Sequence, residues 1–293
     1  MVKKYLFVLL LIFLSIFVSC EQQQEQSTYS VKPLQFYYVV SPPKVSKNEL
    51  FEISGYIKNN GDFPAVDMNI SIFNLDSNYF EGVSTFWRKE NIEKNVKKDM
   101  ISADFNISNI KYKKDVYSET TFPFYLKIKF NYTTTVKSLI CISLNNPNCK
   151  GNVLENKISI GYLDVVSEVK VLADTPSEYI LFVAYRISSK YSDVDITKVN
   201  ITSFILQNSP ENTQYNSIIL AGKQVNKYTQ LNDLSNKEVE LSDGKMLIQF
   251  NIKIDKSKLS LTDTVIPVLI NLTYTVQEYL PAQITVFDPN QVK

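Results

Sequence analysis

The chain has 293 residues, 44% of them apolar, with 31 basic and 30 acidic side chains and a formal net charge of +1. That composition excludes wholesale disorder and argues against a nucleic-acid binder, which carries a marked basic excess. There is no histidine and there are only three cysteines, so the commonest general base is missing and a zinc site is short of ligands.

At the N-terminus, Lys3 and Lys4 precede an apolar run from Tyr5 to Val18, followed by Ser19, Cys20 and a Gln/Glu-rich stretch to Ser30. A positive flank, a short apolar stretch, a small residue and a polar continuation are the order of a secretory signal. The run is shorter than the roughly twenty residues a membrane-spanning helix needs. Phe17-Val18-Ser19-Cys20 resembles the lipobox of prokaryotic lipoproteins, with Phe17 where leucine is usual. The resemblance implies that Cys20 is lipidated and becomes the first residue; an uncleaved membrane anchor is the alternative. Residues 1–20 are read as signal or anchor and 21–30 as a solvated tether. The remainder is then expected on the extracellular face of the cell membrane.

From Val31 the pattern has period two. Phe51, Ile53 and Ile57 alternate with polar residues, as do Val66, Met68, Ile70 and Ile72, then Phe124 to Phe130, then Met246 to Ile254. Each reads as a strand with one buried and one wet face. Pro42-Pro43, Asn59-Asn60-Gly61-Asp62, Asn145-Asn146-Pro147-Asn148 and Asp243-Gly244 supply turns. Two stretches depart from the pattern. Trp87 to Met100 is charged and poor in strand formers, and reads as a short helix or an exposed loop; Ser209 to Asn216 reads as a loop. Phe122-Pro123 leading into Phe130-Asn131-Tyr132-Thr133 is echoed by Ile266-Pro267 leading into Asn271-Leu272-Thr273-Tyr274. Two related domains would give such an echo near their C-terminal strands.

The residues Ser41-Pro42-Pro43-Lys44-Val45, Phe51-Glu52-Ile53 and Ile57-Lys58-Asn59-Asn60-Gly61-Asp62 with Ala65-Val66 resemble the opening strands of CARDB-type and archaeal S-layer-associated immunoglobulin-like domains. The resemblance covers about the first forty residues of the folded part. It implies an immunoglobulin-like sandwich and extracellular adhesion, scaffolding or spacer roles. The expected fold is all-β: two tandem immunoglobulin-like antiparallel β-sandwich domains, 31–163 with an insertion near 84–100, and 164–293, after the N-terminal segment.

Cys141 and Cys149 flank a turn-rich loop; outside the cell this spacing predicts a disulfide, with two free thiols as the alternative. Five Asn-x-Ser/Thr sequons stand at Asn69, Asn106, Asn131, Asn200 and Asn271. Asn69, Asn106, Asn131 and Asn271 lie on polar phases, where a glycan would point into solvent.

No G-x-S-x-G elbow, Walker loop or G-x-G-x-x-G is present. Asp193 with Asp195, and Glu238 with Glu240, read as the wet faces of strands rather than a calcium site or a glycosidase pair. Phe36-Tyr37-Tyr38 and Phe86-Trp87 read either as core packing or as a binding platform, and Trp87 with Arg88 is the candidate exposed partner contact. No catalytic residue, cofactor or metal is expected. The expected function is a membrane-anchored, non-enzymatic surface module that binds other surface proteins or polymers. The alternatives are an accessory subunit of an envelope transport or secretion complex, and a hydrolase on a β scaffold.

Overall fold

The computed structural model describes residues 32–97, 100–206, 214–220, 223–224, 237–239, 245–259 and 263–289. The signal or anchor segment, Cys20 and the tether lie outside the described residues, as do Asp243-Gly244 and most of the 209–216 loop.

The protein is nearly all β, with antiparallel sheets. In chain order the strands are β1 (Leu34–Ser41), β2 (Lys44–Val45), β3 (Leu50–Asn59), β4 (Ala65–Phe73), β5 (Phe80–Glu81), β6 (Phe86–Ile92), β7 (Ala103–Tyr112) and β8 (Thr120–Ile142). There follow β9 (Lys150–Ile158), β10 (Leu163–Asp174), β11 (Glu178–Ser189), β12 (Val194–Leu206), β13 (Gln214–Leu220), β14 (Lys223–Gln224), β15 (Lys237–Val239), β16 (Lys245–Asp255) and β17 (Thr264–Val286). Among the described residues no helix is long and apolar enough to cross a membrane.

Three sheets form. The first runs β1-β3-β7-β5 and the second β10-β11-β16-β13-β14. The third is eight-stranded, β15-β12-β17-β8-β4-β6, with β9 on β8 and β2 on β17. Its spine is the β8–β17 pair, which stays in register from Thr264 opposite Ile142 to Val286 opposite Thr120. Along β8 the even-numbered side chains from Phe124 to Ile142 are buried, with Cys141, and along β17 the even-numbered ones from Ile266 to Glu278, with Thr275, and again Ile284 and Val286. One face of the large sheet is therefore covered, and the two smaller sheets lie side by side on it. The other face is wet and carries cross-strand pairs such as Thr133–Thr273 (3.3 Å), Thr135–Asn271 (2.8 Å) and Thr275–Asn131 (2.8 Å).

The expected boundary at Leu163 coincides with the first residue of β10. The pairing goes beyond a simple tandem, however: residues 32–293 form one compact unit. β17 contributes Ile266 to Tyr274 to one lobe and Ile284 and Val286 to the other. The internal echo marks this pair of partner strands, β8 and β17.

Of the segment Trp87 to Met100, expected as a helix or loop, the part up to Ile92 is instead β6, paired with β4 from Ile92 opposite Ala65 to Phe86 opposite Ser71, while 93–97 carry no regular structure, as a loop would. It is an edge strand whose Arg88, Lys89 and Glu90 are exposed on both faces, and charge there discourages unwanted strand pairing.

The Asn59-Asn60-Gly61 turn carries the chain from β3 in the first small sheet to β4 in the large one. Asn59 is fully buried; its side-chain amide donates to Phe63 O (2.9 Å) and Ile92 O (3.1 Å), and its Oδ1 accepts from Gly61 N–H (3.1 Å). A Cβ on Gly61 would sit 1.8 Å from the Tyr132 hydroxyl, so only glycine fits. Asp62 accepts from Ile160 N–H at 2.6 Å. Beside this turn Tyr132, Tyr162 and Tyr274 are buried together, with Tyr132 edge-on to Tyr162 at 5.5 Å. The Tyr274 hydroxyl bonds Thr134 (2.7 Å) and accepts from Tyr162 N–H (2.9 Å), while the Tyr162 hydroxyl accepts from Leu34 N–H (3.3 Å). Burial pushes all three phenols well above the usual tyrosine range, so they act as neutral hydrogen-bonding groups.

One carboxylate breaks the apolar phase of β17. Glu278 is 3% exposed. Lys32 donates to its Oε1 and to Asp193 Oδ2, the latter at 2.7 Å. Glu278 Oε2 has no hydrogen-bond partner among the described residues. Burial raises the Glu278 pKa above the usual carboxylate value, against the lowering effect of Lys32. Partial burial works against the Lys32 charge, but its hydrogen bonds to Asp193 and Glu278 outweigh that and raise its pKa.

Candidate interaction surface

The outer face of the β1-β3-β7 sheet carries an aromatic pair. Tyr37 on β1 is the register partner of Tyr56 on β3. Both lie on the wet phase of their strands, and their rings stack at 4.7 Å with a 16° interplanar angle. Lys58 Nζ lies over the two rings, 5.4 and 6.0 Å from their centroids, a cation–π arrangement. Around the pair stand hydrogen-bonding groups: Ser54 and Glu52 on β3, and Asp104 and Asn106 on β7, which is paired with β3. Asn106 Nδ2 donates to Glu52 Oε2 at 3.1 Å, and the Tyr37 hydroxyl donates to Gln35 at 3.0 Å. The depression here has a volume of about 780 Å³.

Its floor is formed at Gly55. A Cβ on Gly55 would lie 2.1 Å from Tyr37 O and 2.8 Å from the Phe105 ring, so Phe105 fills the space a side chain would take. Trp87 packs on Phe105 at 6.1 Å between centroids. The structure thus separates the pair singled out in the sequence. Trp87, opposite Ile70, faces the core and is half-buried; Arg88, opposite Asn69, is on the wet face and lies 3.6 Å from Asp67. Trp87 packs against the core and also lines the depression beside the Tyr37–Tyr56 pair. Trp87→Ala should lower stability by about 2–3 kcal/mol, whereas Arg88→Ala should change it by less than about 0.5 kcal/mol; urea unfolding of both variants checks this.

Of the other aromatics, Phe36 and Tyr38 face inward and Phe86 faces outward. A second patch lies on the wet face of the eight-stranded sheet. Phe73 packs on Tyr279 (5.3 Å), Tyr125 is edge-on to Tyr279 (6.4 Å), and Lys127 Nζ lies 5.8 Å from the Phe73 ring centre. Sequence reading missed Tyr56 and this patch. The available signal was a large aromatic on the wet phase of a strand: Tyr56 between Gly55 and Ile57, and Tyr125 between Phe124 and Leu126.

Cys141 and Cys149 are joined in a disulfide, both buried, with Cα atoms 4.9 Å apart. Asp263 lies beside them; with both sulfurs bonded to each other, the trio is not a metal site. Asp193 pairs with Lys32, and Asp195 sits opposite Gln277 on the wet face. Asn69, Asn131, Asn200 and Asn271 all lie on the wet face of the eight-stranded sheet, while Asn106 stands at the rim of the Tyr37–Tyr56 depression.

No protein-family model matches the chain, and no curated protein matches it. Among solved structures, the secreted serine protease VesC from Vibrio cholerae is 9% identical, aligned over 86% of this chain and 52% of its own, with a TM-score of 0.20. The chain spans about half the length of that structure, and a TM-score this low carries no argument.

Proposed function

We propose that this chain is a non-enzymatic, membrane-anchored protein of the extracellular face, built on two immunoglobulin-like lobes, that binds a surface polymer or partner protein through the outer face of the β1-β3-β7 sheet. The observation that carries the reading is the stacked Tyr37–Tyr56 pair. Flat aromatic rings ringed by Ser54, Asp104, Asn106 and Glu52 suit stacking against a sugar ring or a planar peptide group, with hydrogen bonds at the edge. The secretory-type N-terminus, the lipobox-like Phe17-Val18-Ser19-Cys20 and the resemblance to S-layer-associated domains support the location.

A pull-down with purified envelope polymers and membrane extracts tests it. Tyr37→Ala and Tyr56→Ala should each weaken capture about two- to tenfold, in line with roughly 0.5–1.5 kcal/mol for an aromatic contact, with unfolding unchanged. Undiminished capture by the folded double variant would remove the face from consideration. The second patch at Phe73, Tyr125 and Tyr279 favours a second reading, an accessory subunit of an envelope complex. Two contact faces on different sheets would let one chain bridge two components, and a detergent co-purification would then recover a defined assembly.

A further inference from the structure

We infer that β1 is a strand-pairing edge and that its occupant is β1 of a second copy of this chain. The inference stands on the backbone of β1 and is independent of any polymer binding by the aromatic face.

Asn60 N–H donates to Pro33 O at 2.7 Å. In this antiparallel register the odd-numbered residues of β1 therefore turn their N–H and C=O groups toward β3. The even-numbered ones turn theirs to the open side. Leu34 N–H, in that phase, is met by the Tyr162 hydroxyl. The backbone groups of Phe36, Tyr38 and Val40 meet no partner among the described residues.

Edge strands are normally blunted by shortness, charge or irregularity, and the other described edges are. β5 and β14 have two residues and β15 three. β2 also has two residues, β6 carries Arg88, Lys89 and Glu90, β9 carries Lys150, Glu155 and Lys157 with register shifts against β8, and β10 carries Asp164, Glu168 and Lys170 with a register shift before Ala173. β1 is eight residues long, regular, and has no charged side chain.

The edge is also self-complementary. Placing Tyr38 opposite Tyr38 of the partner subunit on a two-fold axis pairs Phe36 with Val40 and gives about six interchain hydrogen bonds. The same register sets Tyr37 (41% exposed) beside the second copy's Val39 (57% exposed), so two exposed apolar side chains cover each other.

The test uses the full-length chain in detergent. Tyr37→Cys and Val39→Cys are made separately, mixed and oxidised. The mixture should give a covalent dimer linked between positions 37 and 39, while each variant alone should not. By sedimentation the unmodified chain should be a dimer, and Val40→Pro, which removes one edge N–H per copy, should raise the dissociation concentration about tenfold or more. A monomeric unmodified chain, or a dimer whose mixture fails to cross-link at 37–39, overturns the inference. Should Val40→Pro misfold, the cross-linking result decides alone.

Discussion

Replacing Lys32 with alanine should lower stability by about 3 kcal/mol at neutral pH, and much of that loss should disappear near pH 5. Glu278 is the cause. It sits in the covered phase of β17, Lys32 is the cation that meets it, and one of its oxygens is already unpartnered. Removing the ammonium leaves a buried, uncompensated carboxylate. Burial holds the folded-state pKa of Glu278 above its ordinary 4.5, and Lys32 pulls it back. A carboxyl whose pKa is raised by folding weakens the fold as pH rises through the folded value, and does so less as pH falls toward the unfolded one. Without Lys32 the folded value climbs further, so the variant should gain stability more steeply than the parent between pH 7 and about pH 5. Lys32's own contribution has the same sign but a far higher window, present below 10.5 and lost only in strong alkali, because its pKa is raised by its partners. Urea unfolding at both pH values measures the difference. Adding Glu278→Gln to the Lys32 variant should restore most of the loss at pH 7; an equal loss at both pH values would mean that Lys32 acts through packing alone.

Residues 32–293 should unfold in a single cooperative transition, and the fragment ending at Leu163 should not fold by itself. In that fragment β8 keeps β4 and β9 but loses β17 along its whole length. Lobe one would also lose Ile284 and Val286, both buried. Fully burying one aliphatic side chain contributes about 1.5–3 kcal/mol, and whole domains are stable by only about 5–15 kcal/mol. The lost side chains and a bared 23-residue strand edge therefore consume most of what one lobe could hold. Calorimetry of the intact chain and circular dichroism of the fragment are the measurements. Supplying residues 164–293 in trans should recover folded material; a fragment with its own sharp melting transition would show that the lobes are independent.

Much of this architecture was readable from the chain. Phe51, Ile53 and Ile57 are buried as their alternation predicts, and so are Phe124, Leu126, Ile128 and Phe130. Where the phase reading slipped, a bulge explains it. Asp67 has φ 55°, and the register shifts between Val66 and Asn69, so Ala65 and Met68 are buried while Val66 turns outward. β6 hid its nature because Arg88 to Asn91 are exposed on both faces, leaving only Trp87 and Ile92 covered and no apolar alternation to read. Partner choice left no local trace: period two announces β17 as a strand but does not say that it pairs with β8 through both lobes. The Tyr37–Tyr56 stack was equally hidden, since it depends on register between two strands and neither ring's neighbours name the other. The glycine of the Asn59-Asn60-Gly61 turn was visible from the start, and its reason, the Tyr132 hydroxyl, was not.

The spine formed by β8 and β17 also sets the order in which the chain can fold. β8 leaves the ribosome long before β17, which comes last among the described strands. Until then lobe one lacks Ile284 and Val286, and β8 has nothing along one edge. Pairings between residues so far apart in the chain close slowly, on the order of milliseconds to seconds for β proteins rich in them. A chain that must stay open until its last strand arrives remains threadable until then without a separate device, as the proposed export would require, and it depends meanwhile on whatever shields the waiting edge of β8.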